Sequence, residues 1–138
     1  MEHAGLGHGK AIAGRYASAG ARVVIADLDL AQAQGTAAEV GRGKAMPLAM
    51  DVTDEGAVEA GVARVIDALG SVDVLVSNAG IQIVHPLEEF SYAEWKQMLA
   101  VHLDGAFLTT KACLPHMYRS GRGGSVIYMG SVHSKEAS

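Results

Sequence analysis

Several residues in this 138-residue chain have types and spacings that could do chemistry. The stretch Ala4-Gly5-Leu6-Gly7-His8-Gly9-Lys10 is a glycine-rich loop running into a helical pattern. Glycines there let backbone N–H groups approach a phosphate at a helix N-terminus, where the helix dipole favours negative charge. Taken alone, such a cluster is more often just a flexible turn; its place before a helix favours the phosphate loop. Asp27 follows Gly9 by eighteen residues and ends an apolar run, Arg22-Val-Val-Ile-Ala-Asp27. That is close to the roughly 20 at which a carboxylate behind such a loop accepts from ribose hydroxyls. The alternative is a cap on the next helix, a task Asp29 could fill instead.

A second constellation surrounds Val72 to Gly80. Val72, Val74, Leu75 and Val76 suit a strand buried on both faces. It ends in Ser77-Asn78-Ala79-Gly80, where nothing bulky keeps a ligand away. In an open parallel sheet ligands bind beyond the carboxyl ends of the strands, so this exit is a candidate shelf. An ordinary strand-to-loop exit is the competing reading. Ser131 follows a last strand, Ser125 to Gly130, and a hydroxyl there could polarise a reacting oxygen. Tyr92 and Lys96 are four residues apart on a helix, a spacing that arises easily by chance, and they precede Ser131.

The elements positioning these residues alternate. Strands are expected near 22–27, 45–51, 72–77 and 125–130, with residues 4–20 as a glycine-rich loop running into a helix and further helices near 29–40 and 53–69. A long helix follows the Ser91–Glu94 capping box. Leu30, Ala33, Ala37 and Val40 form one apolar stripe, and Val58, Val62, Val65, Ile66 and Leu69 another. The long helix is expected to bury Trp95, Met98, Leu99, His102, Leu103, Ala106, Phe107, Thr110 and Leu114 on one face. A histidine on such a stripe is most simply a satisfied core residue. Strand–helix alternation implies an α/β fold with a doubly wound parallel sheet.

Bulk properties narrow the classes. A net charge of −4 gives no basic footprint for nucleic acid. No apolar run approaches the ~20 residues needed to span a bilayer, and the N-terminus has no signal-peptide pattern. A single cysteine, Cys113, forbids an intrachain disulfide and fits a reducing cytoplasm.

Together, Gly5 to Gly9, Asp51-Val52, Asn78-Ala79-Gly80 and the strand-to-Ser131 segment resemble the short-chain dehydrogenase/reductase family. Within it, Asn78-Ala79-Gly80-Ile81-Gln82 and Ser131-Val132-His133 are most similar to the 3-hydroxybutyrate dehydrogenases. The resemblance implies that residues 1–138 form one NAD-binding Rossmann-like domain, incomplete at both ends. It implies cofactor contacts from Gly7, His8, Gly9, Asp27, Leu28, Asp51, Val52, Asn78, Ala79 and Gly80, with Asp51 on the adenine ring. Asp51 could otherwise begin the turn into the next helix. No arginine or lysine lies between Asp27 and Arg42, which favours NAD over NADP. Gln82 and His133 would hold the substrate carboxylate, and Ser131 the reacting oxygen. His102 stands where the family has an asparagine that organises a water relay.

The family's first phosphate-loop threonine and glycine fall on Glu2 and His3, and the strand expected ahead of them is absent from the sequence. The family's Tyr-x-x-x-Lys pair is expected beyond Ser138, and Tyr92-x-x-x-Lys96 is read as a decoy. The implied activity is NAD-dependent interconversion of a short 3-hydroxy acid and its 3-oxo acid, with little turnover from this polypeptide alone. The alternatives are a non-catalytic nucleotide-binding or interaction module, and a dehydrogenase with another small polar substrate. A homotetramer built on the long helix is the implied assembly. The sheet order implies a gap, or a substitute pairing, between the strands at 22–27 and 72–77.

Overall fold

The structure is a computed structural model that describes residues 7–41 and 43–131. Its elements run α1 (His8–Ser18), β1 (Val23–Asp27), α2 (Leu30–Val40), β2 (Ala45–Ala49), α3 (Glu55–Leu69) and β3 (Val74–Ser77). A short 3₁₀ turn (Leu87–Glu89) precedes α4 (Tyr92–Leu99), a π-helical turn (Ala100–Asp104), α5 (Gly105–Arg119) and β4 (Ser125–Tyr128). Side chains set several of these boundaries. Asp29 Oδ1 accepts from Ala31 N at 2.8 Å and Asp54 Oδ1 from Ala57 N at 2.7 Å, capping α2 and α3. Ser91 and Glu94 form the expected capping box on α4. Gly70 closes α3 at φ +84°, and its N–H donates to Ile66 O at 2.8 Å.

All strand pairing among the described residues is parallel, in two separate two-stranded sheets, β1–β2 and β3–β4. Neither β1 nor β3 pairs with the other, so the gap occurs where expected. Both crossovers, β1–α2–β2 and β3–α4/α5–β4, join parallel neighbours and step away from the gap in opposite directions. Parallel crossovers are right-handed, so their helices cover opposite faces. The gap is therefore a topological switch point. Pro47 lies in β2 without breaking it. Met50 N donates to Asp27 O and Val23 N to Lys44 O, so the groups of alternate residues 44 to 50 face β1. Pro47 falls on the other edge, where no N–H is needed.

The two half-sheets are tied together without a shared strand. Arg22 Nη2 donates to Leu69 O, the C-terminal carbonyl of α3, at 2.6 Å. Met50 and Leu48 of the first half pack against Gly61 of α3. The main cluster, Val58, Val62, Cys113 and Met117, lies between α3 and α5 and reaches Leu75 and Val126 of the second sheet. Burial raises the Cys113 thiol pKa to about 11, so it behaves as a small apolar group there.

The buried face of the long helix differs from the expected one. Trp95, Leu103 and Phe107 are 52%, 61% and 63% exposed, while Gly105, Thr109 and Cys113 of α5 are buried with Met117. The π turn changes the helical phase at Ala100–Asp104, and the small residues Gly105, Thr109 and Cys113 allow close packing. Val52 makes this concrete, because a Cβ on Gly105 would come within 2.8 Å of its Cγ2.

Candidate functional site

Beyond the carboxyl end of β3, the chain approaches the start of α1. Gly7 caps α1 through its backbone, accepting from Lys10 N at 2.9 Å. Among the described residues no side chain caps this helix, and its first turn carries no acid, so its positive end suits an anion. Gly9 is the second residue of α1, and a Cβ there would come within 2.8 Å of Asn78 Nδ2. Glycine at position 9 thus lets the shelf after β3 approach the start of α1. His8 is exposed beside it.

Asp27 ends β1 and is exposed, with Leu28 beyond it 74% exposed. Asp27 Oδ1 accepts from Asp29 N at 2.9 Å, which fixes the carboxylate, while Asp29 does the capping. Asp51 Oδ1 accepts from Thr53 Oγ1 at 2.7 Å and from Thr53 N at 2.9 Å. The Thr53 hydroxyl, then its amide, holds the Asp51 pKa below the ordinary carboxylate value. Asp51 therefore begins the turn into α3 and stays ionised, and Val52 packs on α5 rather than standing free.

On the other side of Asn78, a Cβ on Gly80 would meet His102 Cε1 at 2.8 Å. His102 sits in the π turn, and its Nε2 lies 2.8 Å from Ile81 O and 3.2 Å from Ile81 N. The ring clamps the backbone that leads to Gln82, which is exposed. His102 is exposed as well, so it is not the core residue its apolar stripe implied. Neither the π turn nor this clamp was visible in the sequence; the one signal was a histidine out of place on an apolar face.

Ser131 is the last of the described residues and is exposed. Glu2, His3 and His133 lie outside the described residues. Lys96 Nζ stands 5.7 Å from the Tyr92 ring centroid, and Tyr92 is 75% exposed at the start of α4. This cation–π contact gives the pair a surface role. The described residues contain no cluster of metal-ligating side chains. No helix among them is long and apolar enough to cross a membrane. An open groove of about 560 Å³ runs between α3 and α5, lined in part by Glu55, Glu59, Lys111 and His116. It is separate from the glycine loop and the shelf.

A family model described as short chain dehydrogenase matches residues 3–138. The chain is 38% identical over 125 residues to a sorbitol dehydrogenase of Cereibacter sphaeroides, covering 91% of this chain and 48% of that protein. It is 38% identical over 130 residues to a D-threitol dehydrogenase of Mycolicibacterium smegmatis, covering 93% and 50%. A crystal structure of a 3-ketoacyl-(acyl-carrier-protein) reductase from Brucella melitensis complexed with NADH superposes with a TM-score of 0.86 at 32% identity. That match covers 95% of this chain and 55% of the reductase. The chain thus spans about half the length of the curated relatives it matches.

Proposed function

We propose a function from one established premise: the chain belongs to the short-chain dehydrogenase family. Our reading is an NAD-dependent oxidoreductase that interconverts a secondary alcohol and a ketone on a small polar substrate. The observation carrying it is the switch point itself. There the uncapped start of α1, the Gly9–Asn78 approach and the fixed Asp27 carboxylate stand at neighbouring strand ends. The donor set fits a dinucleotide: helix N–H groups for phosphate, a carboxylate for ribose hydroxyls, and a small shelf for a flat ring. The NADH bound to the Brucella reductase and the absence of a cation between Asp27 and Arg42 support NAD over NADP.

NAD, when bound, supplies the hydride acceptor. Ser131 would hold the substrate oxygen by donating its hydroxyl hydrogen, favouring the charge that develops there. His102 would act by fixing Ile81, and so the approach to Gln82. The names of the sorbitol and threitol relatives support a polyol as substrate. The second reading, 3-hydroxybutyrate and acetoacetate, is favoured by Gln82 and His133, whose side chains could bind a carboxylate.

No Tyr-x-x-x-Lys follows Ser131 in this sequence, and Tyr92–Lys96 lies on the outer helix. The 138-residue polypeptide by itself is therefore proposed to turn over slowly, since losing a general base costs roughly 10²–10⁴ in rate. The exposed Tyr92, Trp95, Leu103 and Phe107, on α4, the π turn and α5, support a homo-oligomer, proposed as a tetramer. A cytoplasmic location is proposed from the lone cysteine.

The test is NADH formation by the purified chain with sorbitol, threitol or 3-hydroxybutyrate, beside Ser131→Ala. Rates indistinguishable from Ser131→Ala are expected. Robust Ser131-dependent turnover would overturn the proposed inactivity, and the preferred substrate would decide between the two readings. Loss of that turnover in Tyr92→Phe would make Tyr92 the base.

A further inference from the structure

Between the shelf and α4 the chain is fastened at two points, and each fastening uses a histidine. His102 holds the first, with its Nε2 2.8 Å from Ile81 O. His85 makes the second, with its Nε2 3.1 Å from Glu94 Oε1. An ionised carboxylate only accepts, so the His85 ring donates. The other Glu94 oxygen, Oε2, accepts from Ser91 Oγ at 2.6 Å and from Ser91 N at 3.1 Å. The Ser91 hydroxyl, then its amide, keeps the Glu94 pKa below its ordinary value, so the carboxylate stays charged. Glu94 therefore caps α4 with one oxygen and holds His85 with the other. Phe90 stands edge-on to the His85 ring, with centroids 5.7 Å apart, and limits its swing.

The four links from Ile81 to His85 reach at most about 14 Å. Glu94 and His102 are eight residues apart along α4 and the π turn, a rise of about 12 Å. The chain from Ile81 to His85 makes no turn or bend, and its burial alternates. Ile81 and Ile83 are half-buried, while Gln82 and Val84 are exposed. That is the period of an extended strap, and its length matches the spacing of its two anchors. A slip of one residue would exchange Gln82 for Ile83 and turn the amide inwards. We propose that His85 and Glu94 are positioning residues: with His102 they set the register of this strap and hold Gln82 outwards for the polar end of a substrate. Its substrate step rests on the proposed reading of Gln82, whereas the strap itself does not. An exposed pair such as His85–Glu94 is too weak to govern folding, but it can shift a short segment roughly twofold to fivefold.

The experiment is backbone amide relaxation on the full chain, which gives an order parameter for each strap residue. Gln82, Ile83 and Val84 are expected near the rigid value of about 0.85. In His85→Ala, Val84 should fall below about 0.6 and Ile81 should change least, a gradient that His102→Ala should reverse. His85→Gln, whose amide can donate to Glu94, should restore the order. The Glu94 amide, bonded to Ser91 Oγ, should keep its hydrogen-exchange rate in both His85 variants, which separates the strap from the cap. A mobile strap in the unaltered chain, or one indifferent to His85→Ala, would overturn the proposal. So would a failure of His85→Gln to restore order. The substrate step is read at the Gln82 side-chain amide during titration with 3-hydroxybutyrate or sorbitol, with NADH present. A signal that moves, and moves less in His85→Ala, supports it. An unmoved signal over a rigid strap would overturn the substrate role of Gln82, and with it that step alone.

Discussion

The Nε2 of His102 lies 2.8 Å from the carbonyl oxygen of Ile81 and 3.2 Å from its amide nitrogen. One ring nitrogen cannot donate to the oxygen and accept from the N–H at once. Either tautomer nevertheless keeps one bond to the same residue, so the imidazole acts as a brace on the loop that follows the shelf. A π turn at Ala100–Asp104 delivers it there. Such turns are often found at functional sites.

The brace makes a packing prediction. In Gly80→Ala the new Cβ would lie 2.8 Å from His102 Cε1, so the ring must move. The expected loss of stability is about 1–3 kcal/mol, the usual cost of overpacking. Most of that loss should vanish in the background of His102→Ala, where the space is open. Urea unfolding of the two single variants and the double variant measures the coupling; additive effects would show that ring and glycine do not meet.

Gly9→Ala should act differently. Its Cβ would stand 2.8 Å from Asn78 Nδ2, at a contact that shapes the shelf. The expected result is nucleotide binding weakened about tenfold or more with folding little changed, since Asn78 is exposed and can swing aside. Paired titration and melting experiments separate the two effects.

Much of the framework was legible in the sequence. The α3 stripe of Val58, Val62 and Val65 is buried as its spacing predicts, and the Ser91–Glu94 capping box forms. Local pattern carries such features. The buried face of α5 was not legible, because the π turn shifts the face by one residue, roughly 100° of rotation. The expected positions Ala106, Thr110 and Leu114 give way to Gly105, Thr109 and Cys113. A hydrophobicity pattern also ranks glycine and threonine too low to find a close-packed seam. The Arg22–Leu69 bond joins residues 47 apart, and nothing local announces it. At the site, Asp27 and Asp29 left ribose binding and capping open between them, and only geometry assigns the cap to Asp29.

Acid should weaken one identifiable contact. The Arg122 guanidinium, 2.8 Å from Asp73, lowers that carboxyl below its ordinary 3.8, with Ser71 also contributing. A depressed carboxylate stabilises the fold above the unfolded pKa, and the effect is lost as pH falls through the lower folded value. Stability should therefore begin to decline below about pH 3.8, and Asp73→Asn should flatten that part of the profile. Both groups are largely exposed, so the change is small and should shrink with added salt. Melting temperature against pH at two salt concentrations reads it.

The central claim is that this chain builds an NAD-type nucleotide site at the switch point, with Asp27 as the ribose acceptor. The most direct measurement is titration of the purified 138-residue chain with NADH and NADPH, repeated with Asp27→Ala. NADH should bind more tightly than NADPH. The Asp27→Ala change should remove that preference and weaken NADH binding roughly tenfold to a hundredfold, the scale of a hydrogen bond to a charged group. Equal affinity for the two nucleotides in the unaltered chain, or NADH binding indifferent to Asp27, would contradict the account.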